Sequence, residues 1–93
     1  MTTVQELAPR ALHAALGDTP PPVVLDVREP WERALCHLPD SLHIPLQSLP
    51  ARVGELDPQR ATVVLCHHGV RSFQAARWLA QRGFAQVANL SGG

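Results

Sequence analysis

The chain has no lysine; all eight of its basic residues are arginine, and they are balanced by eight acidic residues. It therefore has no excess charge of either sign. A formal net charge of zero and a pI near 7 provide no electrostatic footprint for nucleic acid or an anionic membrane. Long apolar runs are also missing, so no segment has the length of a membrane span. The first ten residues, "MTTVQELAPR", lack a charged start followed by an apolar stretch, so no secretory leader is expected and a cytoplasmic protein is. Cysteine is scarce, at two in 93 residues. In a cytoplasmic chain, two cysteines read as free thiols, metal ligands or catalytic groups before they read as a disulfide.

What is present is the composition of a globular domain, 45% hydrophobic and 17% charged. At 93 residues it is expected to be one domain, close to the lower limit for a self-sufficient core. Thr3 and Glu6 have capping-box spacing, which predicts a helix starting near Val4. Pro9 either breaks that helix or begins a second one. "VVLDV", residues 23–27, and "TVVLC", residues 62–66, are continuous apolar runs and predict strands buried on both faces. Pro30 suits the first position of a short helix. A short strand is expected around Ser41 to Ile44, and one or two helical turns in "SLPARVGEL". Ser72 to Gln81 carries the best helical pattern, with Phe73, Ala76, Leu79 and Ala80 on its inner face. Gly83 should stop that helix, Phe84 should pack back, and "QVANL" should form a last strand. Alternating strands and helices predict an α/β fold with a mainly parallel sheet. In such sheets, ligands bind beyond the carboxyl ends of the strands.

Both clear strands end on chemically capable residues. One reaches Asp26 and Arg28, the other Cys66 and Arg71. Cys66 is followed by His67, His68, Gly69 and Val70, and then by Arg71 and Ser72 at the head of a helix. A glycine-containing loop can turn backbone N–H groups inward, and a helix N-terminus favours an anion. With Arg71 nearby, these features should lower the thiol pKa and make Cys66 a nucleophile.

The loop "LCHHGVRS" resembles the active-site loop of the rhodanese family. So do three further segments in the same order: "VVLDVREPWE" with the family's "DVRE", "CHLPDSLHIPL" with its "GHIPGAINIP", and "LAQRGFAQVANLSGG" with its run to a double glycine. The resemblance covers roughly residues 22–93 and is nearest to small single-domain bacterial sulfurtransferases. It implies a rhodanese-like fold with helices on both sheet faces and the active loop at a strand's carboxyl end. It further implies that Cys66 takes sulfur from thiosulfate or a related donor as a persulfide and passes it to cyanide, a thiol or a protein acceptor. No metal or organic cofactor is called for, and a monomer is expected. The phosphatases of this fold use a loop one residue longer than the six residues from Cys66 to Arg71, so phosphatase or arsenate reductase chemistry is the weaker alternative. A persulfide relay or protein-binding module with little small-molecule turnover is the other.

The chain departs from the family in two places. Cys36 stands where glycine is usual, and the sequence stops at Gly93, where the family usually continues into a short tryptophan-bearing helix. The missing helix is either cut away or not part of this form.

Roles around the loop divide as follows. Asp26 and Arg28 read as a buried ion pair supporting the loop, with catalysis as the alternative. Arg71 binds the donor's sulfonate, braces the loop, or does both. His67 and His68 are expected at the pocket mouth, where they contact an anionic donor, serve as a base, or pack the loop. Cys36 reads as a small core or loop residue, or as a resolving thiol for Cys66. His37 and His43 read as loop residues. A zinc site from Cys36, His37, Cys66 and His67 lacks ligand spacing. Trp31 and Trp78 read as packing residues.

Overall fold

The computed structural model describes residues 3–91. A five-stranded, wholly parallel sheet has the order β1-β5-β4-β2-β3. The strands are β1 (Val4–Leu7), β2 (Val23–Asp26), β3 (Leu42–His43), β4 (Thr62–Leu65) and β5 (Val87–Leu90). The α-helices are α1 (Pro9–Ala15), α2 (Pro30–Leu35), α3 (Leu49–Arg52) and α4 (Val70–Gln81). Short 3-10 turns at Leu46–Ser48 and Val53–Glu55 flank α3.

The apolar runs become central strands because they are covered on both sides. In β4, Val63 and Leu65 join Leu12 of α1, Val24, Ala88 and Leu90 in one core cluster. Val64 and the following Cys66 point the other way, into a cluster with Leu49 of α3 and Ala75, Ala76 and Leu79 of α4. Burying a side chain such as Leu79, which has no exposed surface, stabilises by about 1.5–3 kcal/mol. That two-sided packing holds the carboxyl end of β4, and thus Cys66, in a fixed place.

The helix expected from Val4 is absent; Val4–Leu7 is an edge strand paired in parallel with β5. The capping signal is overridden for two reasons. Ala8 precedes Pro9 and is extended (φ −74°, ψ 153°), which cuts a helix off after too few residues. The edge of β5 also offers partners to the segment's backbone, and Ser91 N–H donates to Leu7 O at 2.8 Å. Glu6 does not cap Thr3. Its carboxylate accepts from Asn89 Nδ2 at 3.2 and 3.3 Å and from Ser91 Oγ at 3.0 Å. Pro9 is the first residue of α1, the second of the two roles open to it.

Helix α4 begins at Val70, two residues before the expected start, and its buried stripe is Ser72, Ala75, Ala76, Leu79 and Ala80. This is i, i+3, i+4, i+7, i+8 spacing. Phe73 is therefore exposed, not part of the inner face, and the polar Ser72 is buried. Gly83 ends the helix at φ 91°, and Phe84 N–H donates back to Leu79 O at 3.2 Å. Helix α2 buries none of its residues, so Trp31 is 67% exposed and does not pack a core. Trp78 does pack against the core, and the Arg82 guanidinium stacks 4.4 Å from its ring centroid. The double glycine at 92–93, where the family's further helix was expected to follow, lies outside the described residues.

Candidate active site

The site is built where β4 ends and α4 begins. Cys66 is the first residue past β4 and is 2% exposed. Gly69 then takes the left-handed conformation (φ 86°) and caps α4. That turn reverses the chain and aims N–H groups back at the thiol. Gly69 N–H donates to Cys66 Sγ at 3.0 Å, and Ser72 N–H, unpaired in the first helical turn, donates to it at 3.3 Å. Burial pushes the Cys66 thiol up. Hydrogen bonding with the Ser72 side chain and with the backbone of Ser72, Gly69 and His68 more than reverses this, so its pKa lies below the ordinary value.

Ser72 has a divided role. Its single hydroxyl proton is donated to Asn89 Oδ1, which leaves a lone pair to accept the Cys66 S–H at 3.3 Å. That arrangement suits the thiol. Once the thiol ionises, only a hydroxyl turned toward Sγ helps, whereas the backbone donors favour the thiolate without rearranging. Behind Ser72, Asn89 Nδ2 also donates to Gly69 O at 3.3 Å, so β5 braces the loop's turn.

Arg71 does not reach into the loop. Its guanidinium grips Glu32 of α2 with Nη1 at 2.6 Å from Oε1 and Nη2 at 2.8 Å from Oε2. These bonds pull the Glu32 carboxyl down to about 2. The ion pair ties the first turn of α4 to α2.

Asp26 and Arg28 form a buried corner beside Cys66. Arg28 N–H, Nε–H and Nη2–H reach the Asp26 carboxylate at 2.9, 3.0 and 2.9 Å, and Nη2 also reaches Cys36 O at 2.7 Å. Arg33 Nη1 adds a contact to Asp26 at 3.3 Å and holds Ser41 Oγ at 2.8 Å. Burial pushes the Asp26 carboxyl up, but the Arg28 hydrogen bonds and charge bring it below the usual carboxylate range. His43 Nε2–H donates to Arg28 O at 2.8 Å, so His43 ties β3 to this corner. The corner positions the Cys36 segment against the end of β2, next to β4.

A cavity of about 500 Å³ opens on the α1 side of this edge, with Leu12, Leu65 and Leu90 on its floor and Arg28, Cys36, His37, Cys66 and His67 around it. His67 and His68 are both exposed and touch edge to face, with centroids 4.2 Å apart. His67 faces the cavity, and His68 lies on the other side of the loop with Glu6 and Asn89. Val70 is exposed at the first turn of α4. Cys36 and Cys66 are both free thiols. Among the described residues no group of three His, Cys, Asp or Glu side chains is placed to hold a metal ion.

Sequence reasoning missed Glu32, Asn89 and Glu6. Asn89 had a signal, a polar residue inside the buried run "VANL", of the same kind that marked Asp26 in "VVLDV". Glu32 lies 39 residues from Arg71 and had none.

Residues 8–93 match the model of the Rhodanese-like domain family. A sulfurtransferase of Allochromatium vinosum is 38% identical over 97% of this chain and 84% of its own length. The thiosulfate sulfurtransferase GlpE of Stutzerimonas stutzeri is 33% identical over all of this chain and 84% of its own. The crystal structure of a rhodanese-like domain protein from Staphylococcus aureus superposes with a TM-score of 0.90 at 24% identity, covering 97% of this chain and 87% of that one, which shows a shared fold. A parallel sheet in the order observed, a six-residue loop from Cys66 to Arg71 and the family match over nearly all of the sequence lead to one conclusion: this chain belongs to the rhodanese-like domain family.

Proposed function

We propose that the protein is a sulfurtransferase that carries sulfane sulfur as a persulfide on Cys66, acting as a single cytoplasmic domain over residues 1–93 and as a monomer. The observation that carries this reading is the pair of backbone N–H groups, from Gly69 and Ser72, directed at Cys66 Sγ. They hold the thiolate as a nucleophile. The thiolate attacks the outer sulfur of thiosulfate, a Cys66 S–S bond forms, and sulfite leaves with the electron pair of the broken bond. An acceptor such as cyanide then attacks the outer sulfur, and Cys66 returns as a thiolate to the same donors. Charge stays on sulfur at every stage, where the loop's donors already point. His67 at the cavity and His68 across the loop flank the approach of an anionic donor. Asp26 and Arg28 support the loop from the neighbouring strand. The names of the sulfurtransferase relatives support the activity.

Incubation with thiosulfate and cyanide should yield thiocyanate with the wild type and none above background with Cys66→Ser. Equal rates for the two would refute the assignment. Hydrolysis of a phosphate ester without any sulfur adduct would favour the phosphatase alternative.

One feature favours a second reading, in which the physiological acceptor is a protein. Trp31 and Leu35 of α2 are 67% and 78% exposed, and Val70 and Phe73 of α4 are 64% and 40% exposed. Each pair lies on one face of its helix, and the Arg71–Glu32 ion pair joins the two helices beside the loop. Persulfide formation on Cys66 with negligible thiocyanate production would mark such a relay.

A further inference from the structure

Cys36 is exposed, whereas Cys66 is 2% exposed, yet both line the same cavity of about 500 Å³. Cys36 ends α2 in extended conformation (φ −165°, ψ 149°). Its carbonyl is held by Arg28 Nη2 at 2.7 Å. Arg28 is in turn fixed to Asp26, whose strand pairs with β4 with Asp26 opposite Leu65, the residue before Cys66. The Cys36 backbone is thus anchored through one arginine to the strand beside the loop cysteine. On its other side, Cys66 Sγ is engaged by Gly69 and Ser72. A sulfane sulfur added to Cys66 extends about 2 Å beyond Sγ, at a residue that lines the same cavity as Cys36.

We propose that Cys36 is a second sulfur-bearing thiol, which takes the sulfane sulfur from the Cys66 persulfide and presents it at the surface. The proposal rests on the sulfur-transfer reading above. Cys36 gives its proton to solvent and attacks the outer sulfur as a thiolate. The Cys36 Sγ–S bond forms, the Cys66 Sγ–S bond breaks, and its electron pair returns to Cys66. One persulfide and one thiolate stand on each side of the step, so no oxidant or reductant is consumed. The loop donors make Cys66 the better leaving group, because a thiol of lower pKa leaves faster. Attack on the inner sulfur would instead give a Cys36–Cys66 disulfide and hydrosulfide, but that sulfur is buried among the loop donors. The transfer moves sulfur from a site only a small molecule reaches to one that a bulky thiol reaches.

The test treats the full chain with thiosulfate without oxygen, removes the donor, traps thiols and persulfides with iodoacetamide, and maps the added sulfur by peptide mass. The wild type should carry it on both the Cys66 and Cys36 peptides. Cys36→Ser and Cys36→Ala should carry it on Cys66 alone, and Cys66→Ser and Cys66→Ala on neither. Wild type labelled at Cys66 but not at Cys36 overturns the relay. So does a Cys36 label that persists in both Cys66 variants, since the donor then reacts with Cys36 directly, and so does a Cys36–Cys66 disulfide with released hydrosulfide. Wild type with no label on either cysteine overturns the sulfur-transfer reading itself, and the relay with it.

Discussion

Arg71, in the first turn of α4, and Glu32, in α2, form a two-pronged ion pair with both contacts under 3 Å, across 39 residues of sequence. The last cation of the active loop is therefore balanced by a carboxylate of another helix. Since α2 buries no residue, this pair and the Asp26 corner hold it in place.

Glu32→Gln should lower stability at neutral pH by about 1–2 kcal/mol, the range for a charge-assisted hydrogen bond whose Arg71 end is 32% exposed. The folded carboxyl titrates at about 2, and an unfolded one at about 4.3. A depressed folded value means the contribution is fully present above the unfolded value and is lost as pH falls toward 2. Urea midpoints of wild type and Glu32→Gln should therefore differ at pH 7 and converge as the pH falls below about 4. A constant gap across that window would count against the pair.

The Cys66 thiol should alkylate with a pH midpoint below about 8.5, the ordinary cysteine value. Ser72→Ala should move that midpoint upward, because it removes the hydroxyl that can turn its proton toward the thiolate while leaving the N–H. Iodoacetamide rates against pH, with Cys36 replaced by serine, give both values. A normal midpoint in the wild type would remove the argument from loop donors.

Asp26→Asn should be more damaging than any surface change. The buried carboxylate is shared by Arg28 and Arg33, and removing one member of a buried ion pair costs about 3–5 kcal/mol. The loss should appear in urea unfolding. It should also loosen the Cys36 segment, which hangs on Arg28.

Gly69→Ala separates strain from space. A Cβ there would sit 3.8 Å from Asn89 Nδ2 and 3.9 Å from Leu90 O, ordinary contacts. The cost is then the left-handed backbone alone, about 1–2 kcal/mol. Thermal unfolding should show that loss. Thiocyanate formation should fall if the loop relaxes away from φ 86°, since the Gly69 N–H is a backbone donor to Sγ.

Much of the fold was legible in the sequence because the central parallel strands are mostly apolar runs, and prolines and glycines mark breaks between elements. "VVLDV" and "TVVLC" became β2 and β4, and Pro30 and Gly83 bound the helices they were expected to bound. The N-terminus was misread because a local capping pattern competes with edge pairing to a strand more than 80 residues away. Phe73 was misplaced because hydrophobicity alone cannot show that a buried serine takes the inner position.

The sequence by itself determined where the Cys66 thiol sits and its immediate setting. A thiol at a strand's end, a glycine three residues on and a helix behind it are local features, and local conformation follows from local residues. Only the tertiary structure decided where the charges go. It turned Arg71 to Glu32, joined Glu6 and Asn89 behind Ser72, and brought Cys36 to the edge of the cavity that Cys66 lines. Those partners lie far apart along the chain, and a long-range ion pair or hydrogen bond leaves no periodicity in sequence; it exists once packing has fixed both ends.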